Sequence, residues 1–186
     1  MTTIYVARHG ETDYVKNGVL MGSMDIPLNE TGKEQMTVLV NDLKSKGIEF
    51  DFIISSPLIR AIESSKIVAD YFQKEITVDN NFKERGAGED EGTPLIEITK
   101  RQESYKDDLQ RMFEETPKGG EKPFEVEQRV FNALDNIKDK YPDKTILVIT
   151  HSYILKMINK YCKPDISLEE FFNFNTKNGE LVKFDL

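Results

Sequence analysis

Short unbroken apolar runs alternate along this chain with longer stretches of helical spacing. Ile4-Tyr5-Val6-Ala7, Phe52-Ile53-Ile54-Ser55, Ile76-Thr77-Val78 and Thr145-Ile146-Leu147-Val148-Ile149-Thr150 are runs of the first kind. Rich in β-branched and aromatic residues and bounded by polar ones, they read as buried strands. Phe171–Phe174 and Leu181–Phe184 are read as final strands. The second kind starts after Asn29, an N-cap, where Met36, Leu39, Val40 and Leu43 share a face that Gly47 closes. A second helix is predicted from Ser56-Pro57, read as N-cap and first helical proline, to about Phe72. Others cover Phe124–Tyr141, the stretch after Ser152 that carries Ile154, Leu155 and Ile158, and a charged segment over about 94–115.

Residues 13–28, 79–94 and 116–123 show no period and read as loops. Strands that alternate with helices imply an α/β fold, a three-layer α/β/α sandwich with a mostly parallel central sheet. The 186 residues suit one domain, 1–186, with 79–123 expected as a loop and helix cap over the site. Glu89, Asp90 and Glu91 in that cap are read as a solvated acidic face.

Composition narrows the class. With 38% hydrophobic and 31% charged residues the chain is expected to be globular. No apolar run approaches the roughly 20 residues of a membrane span, and no basic-then-apolar leader opens the chain. Cys162 is the only cysteine, which excludes an intrachain disulfide and fits a reducing cytoplasm. The net charge of −8 argues against nucleic acid and anionic membranes as partners, so an anionic substrate needs a local cationic pocket. Oligomeric state is not legible.

Chemistry concentrates where strands end. The first strand stops at Arg8-His9-Gly10, the strong Thr145–Thr150 strand at His151-Ser152, and these are the only two histidines. Open α/β sheets bind ligands at such carboxyl ends. Arg60, in the first turn of its helix, is expected at the same edge if the first two strands are parallel neighbours. Two imidazoles with two guanidinium forks suit a phosphoryl group. A neutral imidazole can attack phosphorus and carry it as phosphohistidine. Arg8, Arg60 and His151 would hold the equatorial oxygens. Glu84, beside that anion in a glycine-rich loop, is the candidate proton donor. The arginines repel divalent ions, so no metal is expected, and no GxxxxGK[ST] loop supports a nucleotide site.

These residues also form ordered blocks: Arg8-His9-Gly10-Glu11-Thr12; Gly22, Asp25, Pro27, Leu28 and Gly32; Ser55-Ser56-Pro57-Leu58 with Arg60 and Ala61; Phe82-Lys83-Glu84 with Gly88 and Glu91-Gly92; Gly120-Glu121 with Arg129; and Thr150-His151. In this the chain resembles the histidine phosphatase superfamily, which includes the cofactor-dependent phosphoglycerate mutases. The resemblance implies a phosphoglycerate mutase-like fold, His9 as nucleophile, and no metal or organic cofactor. It implies a small phosphorylated metabolite as partner. Val15 stands where the family usually has a phosphate-binding asparagine, so Asn17 is considered in its place, with Ser23 and Ser152 as further substrate contacts. Met21, Asp90 and Lys122 also depart from the usual pattern. Arg85 and Lys122 are read as surface ion-pairing residues, with substrate contact as the alternative. The expected activity is hydrolysis of phosphate monoesters. Mutase-type transfer and a non-catalytic phospho-ligand binding protein are the alternatives.

Overall fold

The computed structural model describes residues 1–186. Five strands, β1 (Thr3–Arg8), β2 (Phe52–Ser55), β3 (Ile76–Val78), β4 (Thr145–Thr150) and β5 (Leu181–Asp185), form one sheet in the order β3-β2-β4-β1-β5. All neighbouring pairs are parallel except β1 and β5. β4 is the most buried strand, and its side chains divide with a period of two. Ile146 and Val148 point into one core layer with Val126, Val130, Leu134 and Leu155, and Leu147 and Ile149 into the other with Met36, Leu39, Leu43 and Val68. The first layer belongs to helices α6 (Pro123–Lys140) and α7 (Ser152–Cys162), the second to α2 (Glu30–Ser45) and α3 (Ile59–Phe72). A sheet covered on both faces is the three-layer sandwich the alternation predicts.

Strand order corrects one expectation. β1 and β2 are not neighbours, because β4 lies between them and pairs with both. The β1–β4 register sets Arg8 opposite Thr150, so His9 and His151 leave adjacent strands side by side. Helix α3 starts at Ile59, later than the Ser56-Pro57 signal suggests. Ser56 Oγ is committed to His151 Nε2 at 2.6 Å, and the helix end is capped instead by Asp25, whose Oδ1 accepts from Ile59 N at 2.6 Å. Residues 171–174 are not a strand. Phe171–Asn173 belong to helix α8 (Leu168–Asn173), which begins with the reciprocal cap of Ser167 and Glu170, a signal already present in the sequence.

The 13–28 loop contains a short helix α1 (Asp13–Lys16) capped by Thr12. The 94–115 segment is broken into α4 (Leu95–Gln102), a tight turn at Glu103–Tyr105, and α5 (Leu109–Glu114), where the Asp108 side chain restarts the helix by accepting from Arg111 N. Residues 86–95 are clamped between two loops. Gly92 N and Leu95 N donate to Leu20 O and Gly18 O on one side; Glu89 N and Glu121 N bind Lys118 O and Gly86 O on the other. No helix is long and apolar enough to cross a membrane.

Candidate active site

A cavity of about 420 Å³ opens at the carboxyl edge of β1 and β4, lined among others by Arg8, His9, Arg60, Glu84 and Ser152. Gly10 is there for space. A side chain on it would collide with the backbone of Gly32, and one on Gly32 with that of Glu11, so the β1 turn and the start of α2 touch through bare backbone. Gly10 N also donates to Ser64 Oγ at 3.0 Å, which ties the turn to α3.

His9 is buried, and its tautomer follows from its neighbours. Nδ1 lies 2.7 Å from Gly10 O, a carbonyl that can only accept, so Nδ1 carries the proton. Arg60 Nε donates to Nε2 at 3.3 Å, which marks Nε2 as the bare lone pair. Burial and the charges of Arg60 and Arg8 hold the ring well below the ordinary histidine value, outweighing the Gly10 carbonyl. Arg60 is fully buried, and its other two nitrogens donate to Met24 O at 2.6 Å and Gly22 O at 2.9 Å.

The His151 ring sits 5.0 Å from that of His9, centroid to centroid, tilted by 58°. Ser56 Oγ already accepts from Leu58 N, so its hydroxyl hydrogen is available to donate to His151 Nε2. In the tautomer where Nε2 accepts that hydrogen, Nδ1–H is the ring's one donor, and His151 Nδ1 is buried and without a partner. Burial, then the charge of Arg60, depresses this ring well below the ordinary value too. Arg8 donates from Nη1 to Thr176 O at 2.9 Å while its Nε is buried and unpartnered. Two unsatisfied donors beside His9 are unusual, since buried polar groups nearly always find partners. Glu84 accepts from Arg85 N at 2.9 Å and Tyr153 N at 3.4 Å. Burial raises its carboxyl above the ordinary value, against the pull of those amides and of Arg60 and Arg8.

Asn17 and Ser23 stand apart from the other sequence-derived residues. Asn17 is exposed where α1 ends, and neither residue lines the cavity; His151 does not line it either, but is fully buried behind His9. Ser23 donates through both N and Oγ to Glu91 Oε1, at 2.7 and 2.8 Å. Of the acidic run only Glu89 is exposed as expected; Asp90 and Glu91 are not a solvated face. Glu91 also accepts from Ala87 N, and Asp90 is buried with two bonds to Arg101. Arg85 is not a surface ion-pairing residue either. It lines the cavity, donates to the carbonyls of Glu121 and Glu115, and lies over the Tyr153 ring. Thr176 and Asn178, whose Nδ2 donates to His9 O at 2.8 Å, were not legible in the sequence. They reach the site only because β5 folds back antiparallel to β1, and no local pattern marks that return.

A mostly parallel α/β/α sandwich whose edge cavity is lined by Arg8, His9, Arg60 and Glu84, with His151 packed against His9, defines the class. Within it, the chain belongs to the histidine phosphatase superfamily (branch 1), whose profile matches residues 4–186. The chain is 34% identical over 151 residues to an uncharacterized phosphatase, PhoE, of Bacillus subtilis (strain 168), covering 81% of this chain and 72% of that protein. It is 27% identical over 184 residues to phosphoserine phosphatase 1 of Hydrogenobacter thermophilus, covering 96% and 84%. Among solved structures, phosphoserine phosphatase of Entamoeba histolytica in complex with 3-phosphoglyceric acid superimposes with a TM-score of 0.84. That match has 25% identity and covers 100% of this chain and 91% of the other.

Proposed function

We propose that the chain is a phosphatase that hydrolyses small-molecule phosphate monoesters through a phosphohistidine on His9, with no metal required. The observation that carries this reading is the contact of Arg60 Nε with His9 Nε2 at 3.3 Å, which supports a neutral imidazole with Nε2 unprotonated at the cavity that His9 and Arg60 line. That long bond gives way as Nε2 turns to phosphorus. In the first step Nε2 bonds to phosphorus and the ester P–O bond breaks. Glu84, protonated at that moment, gives its proton to the departing oxygen. Arg8, Arg60 and His151 Nδ1–H hold the three equatorial oxygens, and Ser152 N, at the start of α7, lies beside them. In the second step the Glu84 carboxylate takes a proton from water, which displaces the phosphoryl group as inorganic phosphate and restores His9. Guanidinium charge supplies the electrostatic stabilisation that a metal provides elsewhere.

The lone Cys162 supports placing this chemistry in a reducing cytoplasm. The test is hydrolysis of p-nitrophenyl phosphate by the purified protein, with and without EDTA, beside His9→Ala. Turnover that survives EDTA and vanishes in His9→Ala is expected, as is acid-labile labelling of His9 on rapid quench. Turnover equal in His9→Ala overturns the reading. Rapid conversion of 3-phosphoglycerate to its 2-isomer with little free phosphate would replace it by the mutase alternative.

A further inference from the structure

The cavity contains more positive charge than a phosphoryl group needs. Arg8 and Arg60 stand beside His9, and Arg101 is neutralised by Asp90 and Glu115. Arg85 and Lys156 remain. Arg85 donates only to Glu121 O, Glu115 O and the Thr116 hydroxyl. Lys156 Nζ donates to Phe171 O at 3.2 Å, Phe172 O at 2.7 Å and Asn175 Oδ1 at 3.2 Å. All of these acceptors are neutral. Between the two cations sits Tyr153, one turn before Lys156 on α7, with the Arg85 guanidinium 5.1 Å from its ring centre. Its hydroxyl is buried and unpartnered. All three residues line the cavity.

We propose that Lys156, Tyr153 and Arg85 form a second anion subsite, which selects phosphate monoesters carrying a further anionic group, a carboxylate or a second phosphoryl, on the leaving alcohol. This rests on the phosphatase reading for which group reacts, but binding alone can test it. A half-buried ammonium without a counter-ion is costly, and an incoming oxyanion offsets that cost while also satisfying the Tyr153 hydroxyl. The nearby carboxylates do not fill the place. Glu115 is engaged by Arg101 and Gln102, Glu127 pairs with Lys160, and Glu84 is held by the amides of Arg85 and Tyr153. Burial brings Lys156 down to about 8, so it is still charged at neutral pH and gains most from a partner.

Three esters on one carbon skeleton isolate the effect: glycerol 3-phosphate, 3-phosphoglycerate and glycerol 1,3-bisphosphate. One of the two doubly anionic esters should exceed glycerol 3-phosphate in kcat/KM by about tenfold or more, the scale of a charge-assisted bond, and which one does identifies the anion. Lys156→Gln should collapse that ratio and Lys156→Arg should retain it. A ratio near one in the native enzyme, or one unchanged in Lys156→Gln, overturns the subsite. The same esters titrated into His9→Ala by calorimetry read it without turnover. Preferential binding that Lys156→Gln removes keeps the subsite even if no ester is hydrolysed; equal binding of all three sinks it.

Discussion

Arg60 Nε donates to His9 Nε2 although β2 and β1, the strands that lead to the two residues, have β4 between them. Helix α3 reaches the β1 turn through Ser64, and the other two guanidinium nitrogens of Arg60 are fixed by the carbonyls of Gly22 and Met24. A lysine is long enough to reach but has no planar fork to satisfy three acceptors at once. Arg60→Lys should therefore lower kcat for p-nitrophenyl phosphate by about 10²–10³-fold, the usual cost of losing one preorganised charge donor. Steady-state kinetics on a variant of native circular dichroism checks this, and a kcat within tenfold of the native enzyme would contradict it.

Glu84 should matter in proportion to how badly the leaving group needs a proton. Glu84→Gln is expected to reduce kcat for an alkyl phosphate by about 10²–10⁴-fold and far less for p-nitrophenyl phosphate, whose phenolate departs unaided. Because burial raises this carboxyl, it stays protonated to higher pH than an exposed glutamate. Alkyl phosphate turnover should fall as pH rises through that value, and the descending limb should disappear in Glu84→Gln. Equal losses on both substrates would remove Glu84 from the acid's role.

Asp90 is 6% exposed and makes two bonds to Arg101, at 2.9 and 2.5 Å. It fastens α4 to the loop that also carries Glu84 and Arg85. Asp90→Asn leaves the guanidinium with a weaker partner and should loosen the cap by about 1–3 kcal/mol. Faster limited proteolysis within residues 86–115 is expected, with KM rising more than kcat falls. An unchanged cleavage rate would show that the cap is held by its backbone bonds alone.

The two buried imidazoles make the fold sensitive to acid. Both have folded values well below 6.5, so as pH falls through 6.5 the unfolded chain takes up protons that the folded rings refuse. Their contribution is complete above that value and is lost below it, by up to about 1.4 kcal/mol per pH unit for each ring. Glu84 opposes this, since a raised carboxyl protonates first in the folded state, but it is one group against two. Urea unfolding at about pH 7 and about pH 5.5 should show the loss, reduced in His9→Asn. A midpoint independent of pH over that range would mean the rings are charged in the fold.

Much of this arrangement was legible because the carriers of the chemistry sit at the ends of strong local patterns. His9 and His151 each follow an unbroken apolar run, so periodicity alone locates both at a sheet edge. Arg60 follows a strand-to-helix transition, but its expected place rested on β1 and β2 being neighbours, and β4 lies between them. What could not be read depends on partners distant in sequence. Phe171–Phe174 has the aromatics of a strand, but the Ser167–Glu170 cap starts a helix there. Glu91 and Asp90 look like solvated acids until the fold brings Ser23 and Arg101 to them. Arg85, Lys156 and Tyr153 gain meaning only once it is known which of the cavity's cations already have carboxylates.

The β1–β4 pairing joins residues from opposite ends of the polypeptide. His9 is made early, yet its companion ring, and the carbonyl at Thr176 that steadies Arg8, come from the last quarter of the chain. His9 and Arg60, which bonds it, are thus both synthesised well before His151, the ring that packs against His9. The first strand has neither of its sheet neighbours until β4 and β5, both far later in sequence, come to flank it.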